Sequence, residues 1–206
     1  ADRSRIDLGR LRTMRGITRL ELEQVQAVAG DVFQRRDWLV YDSSGLTSAQ
    51  IATRIRRHRK ANHTRMVVVD YVQLVREPGM KDMKDSVGRS INTLAQVARD
   101  EGVAMVVLSQ LSRDVEKRPD KIPMLSDLRE TGELEQVAES VVFVVQPSRY
   151  QDPNDTHPKA IEAREKWAGK GVAIVAKHKN SATGQALLAW DAPTATYRDL
   201  ARRRDW

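Results

Sequence analysis

Short apolar runs, separated by stretches with helical spacing, limit the folds open to this chain of 206 residues. Each run is continuous rather than alternating with polar residues, which is typical of strands covered on both faces. Between two runs, Val87, Ile91, Leu94 and Val97 recur at the spacing of one helix face. Strands that alternate with helices predict an α/β fold with a mostly parallel sheet flanked by helices. The runs are MVVVDYV (66–72), VAMVVLSQ (103–110), SVVFVVQ (140–146) and GVAIVAKHK (171–179), with WLVYD (38–42) as a shorter candidate strand.

The helix before the first long run has a clear start signal. Thr47 has the pattern of an N-cap residue, and Gln50, three positions later, completes a capping box. Cations between 54 and 60 crowd the end of this helix, where they complement its dipole. We therefore prefer a structural role to a DNA-binding role for these cations. Another helical pattern covers 17–33.

The C-terminal part of the chain departs from the alternating pattern. The segments 185–191 and 195–200 predict an antiparallel ribbon that closes the fold. Between two strands, 147–170 is polar and contains three prolines. This composition predicts a surface excursion, with a short helix over 158–167.

Composition excludes several classes of protein. The absence of cysteine removes disulfides, thiolate catalysis and cysteine-based zinc sites. No apolar run approaches the roughly 20 residues that span a bilayer, and the N-terminus has no signal-peptide pattern. The formal net charge of +7 favours a polyanion such as nucleic acid, although a basic surface alone does not require one. The sequence begins without Met, and we expect it to be a piece of a longer protein.

Polar residues end three of the predicted strands, at the edge where open α/β sheets bind ligands. Asp70 ends the strand predicted in the first long run, with Gln73 nearby, Gln110 ends the second, and Lys177 and Lys179 end the last. A strand-end carboxylate can hold the hydrated Mg²⁺ that bridges nucleotide phosphates. A strand-end glutamine can orient the attacking water or sense the γ-phosphate. The alternative is that Asp70 caps the following loop and that the two lysines are merely solvated.

The motif that normally accompanies such a carboxylate does not occur in these residues. No G-x-x-x-x-G-K-[ST] phosphate loop is present in the 206 residues. AGKG (168–171) does not replace it, because Lys170 is followed by glycine rather than serine or threonine. We interpret AGKG as a turn into the last long strand.

Three longer strings together resemble the DnaB-like replicative DNA helicases, in that family's order and spacing. They are VVVDYVQL (67–74), VVLSQLSRDVEKRPDKIPMLSDLRETGELEQVAESVVFVV (106–145) and GVAIVAKHKNSATG (171–184). The resemblance implies a RecA-like ATPase domain in a homo-hexameric ring, with ATP and Mg²⁺ between neighbours and single-stranded DNA in the channel. It also implies a helicase loader or primase as partner, no membrane, and a cytoplasmic location in a bacterial or phage-infected cell. The strings DYVQL and SDLRETG argue against related recombinases and clock-type ATPases.

The resemblance also assigns roles around ATP. Asp70 matches the Walker B residue that coordinates Mg²⁺ through water, and Gln110 matches the sensor that couples the γ-phosphate to the DNA loops. Lys177 and Lys179 match a basic finger that reaches the ATP of the neighbouring subunit. The second finger position is usually arginine, and Lys179 keeps the charge but loses the bidentate fork. Trp190 matches an aromatic residue near the purine, although a tryptophan in a closing ribbon is commonly a core residue.

Further matching positions belong to loops that touch DNA. A channel that moves along any sequence should grip phosphates, because phosphates carry no base identity. A glycine beside the contact allows close approach of the backbone. From the residues alone, 126–136 is also a capped turn entering a helix, with Ser126 or Asp127 as the cap and Arg129 paired with Glu133. The matching positions are Arg113, Arg129, Glu130 and Gly132.

These matches cover essentially the whole chain, so we expect 1–206 to be a partial RecA-like ATPase domain whose P-loop part lies upstream. The parent protein would couple ATP hydrolysis to 5′–3′ movement on single-stranded DNA and unwind duplex. This piece alone would be inactive and would bind neither ATP nor Mg²⁺. The alternative is a non-catalytic module that binds single-stranded DNA or a helicase partner.

Overall fold

The computed structural model describes residues 3–34 and 39–200, and the chain divides into two compact units. The first unit contains Ala1–Tyr41, Val144–Ile174 and Gln185–Trp206, and the second contains Asp42–Phe143 and Val175–Gly184. Within the described ranges, no helix is long and apolar enough to cross a membrane.

Helices and strands alternate through most of the described chain. The α-helices are α1 (Leu8–Thr13), α2 (Arg19–Gln34), α3 (Ser48–Asn62), α4 (Met83–Glu101), α5 (Gly132–Val137) and α6 (Pro158–Trp167). The strands are β1 (Met66–Val69), β2 (Ala104–Val107), β3 (Ser140–Val145), β4 (Lys170–His178), β5 (Gly184–Asp191) and β6 (Thr196–Asp199). Short 3₁₀ helices lie at Val72–Leu74, Arg113–Lys117, Leu125–Thr131 and Pro147–Tyr150.

The described strands form a parallel pair and a second, four-stranded sheet. In the parallel pair, Val69 of β1 lies opposite Val107 of β2. The second sheet has the order β3-β4-β5-β6, and in its antiparallel β5–β6 ribbon Trp190 lies opposite Tyr197. The α/β fold and the antiparallel C-terminal ribbon are therefore confirmed.

The helix starts follow the predicted capping chemistry. Thr47 Oγ1 accepts a hydrogen bond from Gln50 N at 3.1 Å, and Gln50 Oε1 accepts one from Thr47 N at 3.0 Å. Asp82 caps α4 in the same way by accepting a hydrogen bond from Lys84 N. Because the first backbone N–H groups of a helix have no partner within it, each cap stabilises its helix by about 1 kcal/mol.

The core of the second unit lies along α4, whose apolar face is nearly inaccessible to solvent. Val87, Leu94 and Val97 on this face are buried, as the helical spacing predicted. The face packs against the β1–β2 pair and against α3, from which Ile55 is buried. The strand ends of β1 and β2 are therefore fixed on a packed support.

The prediction of strands covered on both faces is wrong for β1, β2 and β3, and Val106 of β2 is 42% exposed. Val68 of β1 is 58% exposed and Val142 of β3 is 53% exposed, whereas Val69 and Phe143 are buried. Successive side chains of a strand point to opposite faces, so one apolar face of each strand is open in this structure.

The prediction of a strand at WLVYD is also wrong for the part that the structure describes. Trp38 lies outside the described residues, and 39–42 has no regular secondary structure. Leu39 and Val40 are exposed. A strand is stabilised by the hydrogen bonds and side chains of a neighbouring strand, and in the described chain none pairs with this segment.

The polar segment 147–170 contains α6, whose bounds, Pro158–Trp167, agree with the predicted helix. Proline at the first position of α6 fits because that position needs no backbone donor. At the next turn Gly169 has φ +61, as the interpretation of AGKG as a turn requires. The division into a partial ATPase domain with an excursion at 147–170 stays a prediction.

Candidate functional site

Asp70 follows the last residue of β1, and its side chain is exposed. The peptide bond between Asp70 and Tyr71 is cis. Among the residues that the structure describes, no hydrogen bond or salt bridge engages the Asp70 carboxylate, which is available to a cation.

The side chains around Asp70 suit a hydrated magnesium ion rather than a metal ion whose ligands all come from the protein. No cluster of three or more acidic or histidine side chains that could hold a metal occurs in the described ranges. Mg²⁺ typically keeps several waters and uses one or two carboxylates together with substrate phosphates. The Asp70 carboxylate at the strand end can be the one protein ligand that such a site needs.

Gln110 lies at the same edge of the parallel pair as Asp70. Because β1 and β2 run parallel in register, their carboxyl ends lie side by side. Two backbone hydrogen bonds continue the pairing beyond the ends of β1 and β2. Leu108 N donates to Val69 O at 2.9 Å, and Val72 N donates to Leu108 O at 3.0 Å. The structure thus brings together the two candidates that sequence analysis placed at separate strand ends, and leaves the Gln110 side chain exposed.

The side-chain amide of Gln73 contacts both sides of the Gln110 backbone. Its Nε2 donates to Ser109 Oγ at 2.9 Å and to Gln110 O at 3.4 Å, and its Oε1 accepts from Gln110 N at 3.3 Å. Gln73 follows Asp70 closely in sequence and was expected near the site, but no sequence pattern links positions 73 and 110 more than any other pair of polar residues.

The candidate DNA residues lie in two neighbouring stretches of the second unit. Arg113 begins the 3₁₀ helix Arg113–Lys117 and is exposed. Gly132 begins α5, and a Cβ atom built there would meet nothing within 4 Å, so the space beside it is open. Arg129 and Glu130 belong to the 3₁₀ helix Leu125–Thr131, but their side chains lie outside the described part of the structure. The proposed pairing of Arg129 with Glu133 therefore stays a prediction.

Asp127 caps the start of the 3₁₀ helix Leu125–Thr131 by accepting the backbone N–H of Met124, so the predicted capping role holds for this turn and not for α5 itself. Its side chain is 4% exposed, and its carboxylate accepts two hydrogen bonds from Arg118, at 2.8 and 2.6 Å, and one from Met124 N at 2.7 Å. The backbone carbonyl of Asp127 accepts a hydrogen bond from Ser112 N at 3.0 Å. These contacts connect the stretch that carries Arg113 to the stretch that carries Arg129.

The role of Arg118 was not predicted from the sequence, because a spacing of nine positions between Arg118 and Asp127 matches neither the helical nor the strand period. The hydrogen bonds from Arg118 hold the pKa of the Asp127 carboxyl below its ordinary value of 3.8, against the opposing effect of burial. The same contact raises the pKa of the Arg118 guanidinium.

Both candidate finger lysines are engaged within the second unit. Lys177 Nζ donates to the backbone carbonyls of Glu135 and Gln136, near the end of α5. Lys179 Nζ contacts Glu139 Oε1 at 2.8 Å, and Lys179 N donates to Glu139 O at 2.9 Å. The Lys179 contact lowers the pKa of the Glu139 carboxyl. Lys177 is therefore more than a solvated side chain, whereas Lys179 is exposed in a surface ion pair, and the finger role of both lysines stays a prediction.

Trp190 lies in β5 of the first unit and is half-buried. Its ring centroid is 4.6 Å from that of Tyr197 in β6, with the planes tilted by 47°. Burial raises the pKa of the Tyr197 hydroxyl. This geometry agrees with the structural interpretation of Trp190 and leaves the purine contact as a prediction.

Comparisons with known proteins agree on one family. A family model described as the DnaB-like helicase C-terminal domain matches residues 1–199. The replicative DNA helicase DnaB of Haemophilus influenzae is 31% identical over 210 residues, which cover 100% of this chain and 42% of that protein. DnaB of Rickettsia bellii is 33% identical over 174 residues, which cover 79% of this chain and 35% of that protein.

Solved structures give the same result. A DnaB-like replicative helicase, solved to study its interactions with primase, matches with a TM-score of 0.80 and 27% identity, covering 96% of this chain and 46% of that one. A second solved structure, described as an ATPase domain, matches with a TM-score of 0.79 and 28% identity, covering 96% of this chain and 67% of that one. The RecA-like fold is thereby confirmed.

The chain spans less than half the length of the curated relatives named above, 42% and 35%. Since the family model matches nearly all of its residues, the chain belongs to the DnaB-like helicase C-terminal domain family.

Proposed function

We propose that this chain is the C-terminal ATPase part of a ring-shaped replicative DNA helicase. The whole protein couples ATP hydrolysis to 5′–3′ movement on single-stranded DNA and so unwinds duplex. The observation that carries the proposal is the meeting of Asp70 and Gln110 at one edge of the β1–β2 pair, because a carboxylate and a glutamine at strand ends suit nucleotide hydrolysis. Membership of the family supports it.

In this proposal Asp70 binds Mg²⁺ through water, and Gln110 senses the γ-phosphate of ATP. The metal ion, when bound, neutralises charge on the phosphates and positions them for attack by water. Lys177 and Lys179 contribute positive charge to the ATP of the neighbouring subunit, which places the site between two copies of a homo-hexamer. Trp190 contacts the purine.

Arg113, Arg129, Glu130 and Gly132 form the DNA-binding part of the proposal. Phosphate contacts supply affinity without sequence preference, as a protein that moves along any sequence requires. The net charge of +7 supports a polyanionic partner. A solved relative was studied for its interactions with primase, so we also propose primase or a helicase loader as protein partners, in the cytoplasm of a bacterial or phage-infected cell.

The test of hydrolysis compares the full-length protein that contains this chain with its Asp70→Ala variant. We expect Mg²⁺-dependent ATP hydrolysis stimulated by single-stranded DNA, and a loss of at least about a hundredfold in the variant, because metal sites stabilise the transition state by several kcal/mol. Asp100→Ala, which removes an exposed α4 carboxylate bound only to Gln96 among the described residues, is the control and keeps the activity.

The isolated 206-residue chain should not hydrolyse ATP, because it has no phosphate-loop sequence. Hydrolysis by the isolated chain that is abolished by Asp70→Ala would contradict this part of the proposal. Full activity of the full-length Asp70→Ala variant would contradict the role of Asp70.

A non-catalytic module that binds single-stranded DNA or a helicase partner is the second candidate, favoured by the positive charge and the missing phosphate loop. Salt dependence separates the two kinds of partner. Phosphate contacts make affinity fall steeply with salt, and Arg129→Ala should lower the salt slope by about one. Binding to a protein partner that is insensitive to salt, with no DNA-stimulated hydrolysis in the full-length protein, would favour the second candidate.

A further inference from the structure

We propose that Gln73 is a positioning residue that fixes the backbone of Gln110 at the Asp70 edge, and thereby the direction from which the Gln110 side chain meets a phosphate. This inference rests on the proposed function of Gln110 and deepens it. Gln73 itself touches neither substrate nor metal and acts only through Gln110.

The contact between the two residues is reciprocal. Gln73 Oε1 accepts from the backbone N–H of Gln110 at 3.3 Å, and Gln73 Nε2 donates to the carbonyl of the same residue at 3.4 Å. One primary amide therefore binds both backbone groups of Gln110, as a residue of a neighbouring strand would. Rotation of the Gln110 backbone about either of its dihedral angles weakens at least one of the two hydrogen bonds.

Ser109 adds further hydrogen bonds to the contact between Gln73 and Gln110, so that the three residues form a network. Its hydroxyl accepts from Gln73 Nε2 at 2.9 Å and lies 3.3 Å from the Gln110 carbonyl, to which it can donate. Gln73 Nε2 has two N–H groups, so it can serve Ser109 and Gln110 together. The network holds the residues on both sides of the Ser109–Gln110 peptide bond.

Gln110 lies beyond the last backbone hydrogen bond between the two segments, so a side chain rather than the sheet holds its backbone in place. Backbone hydrogen bonds between the two segments reach Leu108 from both Val69 and Val72. Beyond Leu108, the Gln73 side chain supplies the hydrogen bonds that hold Gln110. A sensor fixed by a side chain can be released without breaking the strands, whereas a sensor held within the sheet could not.

Gln73 also connects the sensor to the candidate magnesium residue along a short path. The 3₁₀ helix Val72–Leu74 that carries Gln73 begins two residues after Asp70, and the Leu74 N–H donates to Tyr71 O at 3.0 Å. A displacement of Gln110 by a phosphate is therefore transmitted through Gln73 to the turn that follows Asp70.

The first experiment measures amide hydrogen exchange in the ¹⁵N-labelled 206-residue chain, which needs no ATP. Gln73→Leu keeps the bulk of the side chain and removes its polar atoms, so we expect Gln110 N–H to exchange roughly tenfold faster, the effect of one lost hydrogen bond. Gln73→Glu retains an acceptor for that N–H and should restore most of the protection. Gln96→Ala, which removes an exposed glutamine amide of α4, is the control.

Leu108 N–H, bound to Val69 O, is the internal reference for the strands themselves. Unchanged exchange at Gln110 in Gln73→Leu would overturn the proposal. Equal acceleration at Leu108 and Gln110 would also overturn it, because Gln73 would then stabilise the strands generally instead of holding Gln110.

The second experiment measures ATP hydrolysis by the full-length protein with and without single-stranded DNA. In Gln73→Leu we expect the stimulation by DNA to fall roughly tenfold in kcat, with KM for ATP changed less than kcat. In Gln73→Glu, the stimulation of kcat by DNA should lie between that of Gln73→Leu and that of the wild type. A carboxylate can accept the Gln110 N–H but cannot donate to the Gln110 carbonyl. Normal stimulation in Gln73→Leu would overturn the positioning role.

The two proposals fail in different ways. If the wild-type full-length protein shows no DNA-stimulated hydrolysis while Gln110 exchange responds as expected, the proposed function is wrong and the contact of Gln73 with Gln110 stands. If DNA stimulates hydrolysis in the wild type but Gln73→Leu does not change the exchange rate of Gln110 N–H, the proposed function is supported and the positioning role is wrong.

Discussion

Lys179 is held by Glu139 through contacts that are easily broken. The ammonium and the carboxylate are 2.8 Å apart, and both side chains are substantially exposed. Exposed ion pairs of this kind contribute little to stability, since water and salt screen the charges. Lys179 can therefore leave Glu139 for a more highly charged partner, and the contact limits its availability only weakly.

The substitution Glu139→Gln tests whether this contact restrains the lysine. In the full-length protein we expect ATP hydrolysis to rise about two- to threefold, in line with the release of an exposed pair, and the thermal unfolding midpoint to change little. Steady-state hydrolysis and thermal unfolding are the measurements. Asp114→Asn, which breaks the exposed pair with Lys117, is the control and leaves hydrolysis unchanged. A fall in hydrolysis in Glu139→Gln would mean that the carboxylate assists the lysine.

The Arg118–Asp127 pair joins two short elements that are too irregular to stabilise one another by regular hydrogen bonding. It links the end of the 3₁₀ helix Arg113–Lys117 to the 3₁₀ helix Leu125–Thr131. Asp127 is 4% exposed and the Arg118 side chain 26% exposed, so the pair is shielded on the carboxylate side. Removing one partner would leave a buried group without its hydrogen bonds.

Asp127→Asn should therefore destabilise the chain by roughly 2–3 kcal/mol, below the roughly 3–5 kcal/mol of fully buried pairs because Arg118 reaches solvent. Chemical denaturation measures this change, and Asp114→Asn in the neighbouring exposed pair should cost less than about 1 kcal/mol. In the full-length protein, single-stranded DNA affinity should fall in Asp127→Asn and be retained in Asp114→Asn. Equal losses of stability and of DNA affinity in Asp127→Asn and Asp114→Asn would contradict the larger contribution expected of the buried pair.

The pair also predicts a pH dependence. The pKa of the Asp127 carboxyl is depressed in the folded chain, so Asp127 contributes stability that is present above its ordinary pKa of 3.8 and is lost as pH falls through the lower folded-state pKa. The difference in stability between wild type and Asp127→Asn should accordingly shrink below pH 3.8. A difference that stays constant into that range would show that the charge of Asp127 is not what stabilises the fold.

Elements whose signals are local could be predicted from sequence, and elements that depend on distant partners could not. The capping box at Thr47 and the apolar face of α4 gave correct helices because each is complete within one helix. At 39–42 the apolar run gave a wrong strand, because a strand exists only with a neighbour. Asp70 and Gln110 were recognised as strand ends from local signals. The contacts of Gln73, whose partner lies 37 positions away, and of Arg118, whose partner lies nine positions away in another irregular element, were not predicted.

The second unit exposes apolar side chains on one face of its parallel strand pair. Met66 and Val68 of β1 and Val106 of β2 lie on the open face of the parallel pair. Contiguous apolar patches of this kind favour self-association or binding of apolar molecules. We therefore expect this face to promote self-association of the isolated chain.

Val68→Lys should reduce binding of an apolar fluorescent dye and concentration-dependent association, measured by fluorescence and light scattering. Stability should change by no more than about 0.5 kcal/mol, as for other surface substitutions. Val69→Lys places the same charge in the core and should abolish cooperative unfolding, because burial of an unpaired ammonium costs several kcal/mol. Undiminished dye binding in Val68→Lys would show that this face is not the one that associates.

If Lys177 binds ATP as proposed, it must exchange one set of contacts for another. Its ammonium group already donates to the carbonyls of Glu135 and Gln136. These residues lie in the last turn of α5, where carbonyl groups have no donor within the helix. A phosphate oxygen that recruits Lys177 must take it from these carbonyls, and its observed affinity is reduced by the fraction of time the lysine is engaged. In the proposed ATP role, the helix that begins at Gly132 would lose this C-terminal partner whenever Lys177 binds a phosphate, so phosphate binding and fraying of α5 would increase together.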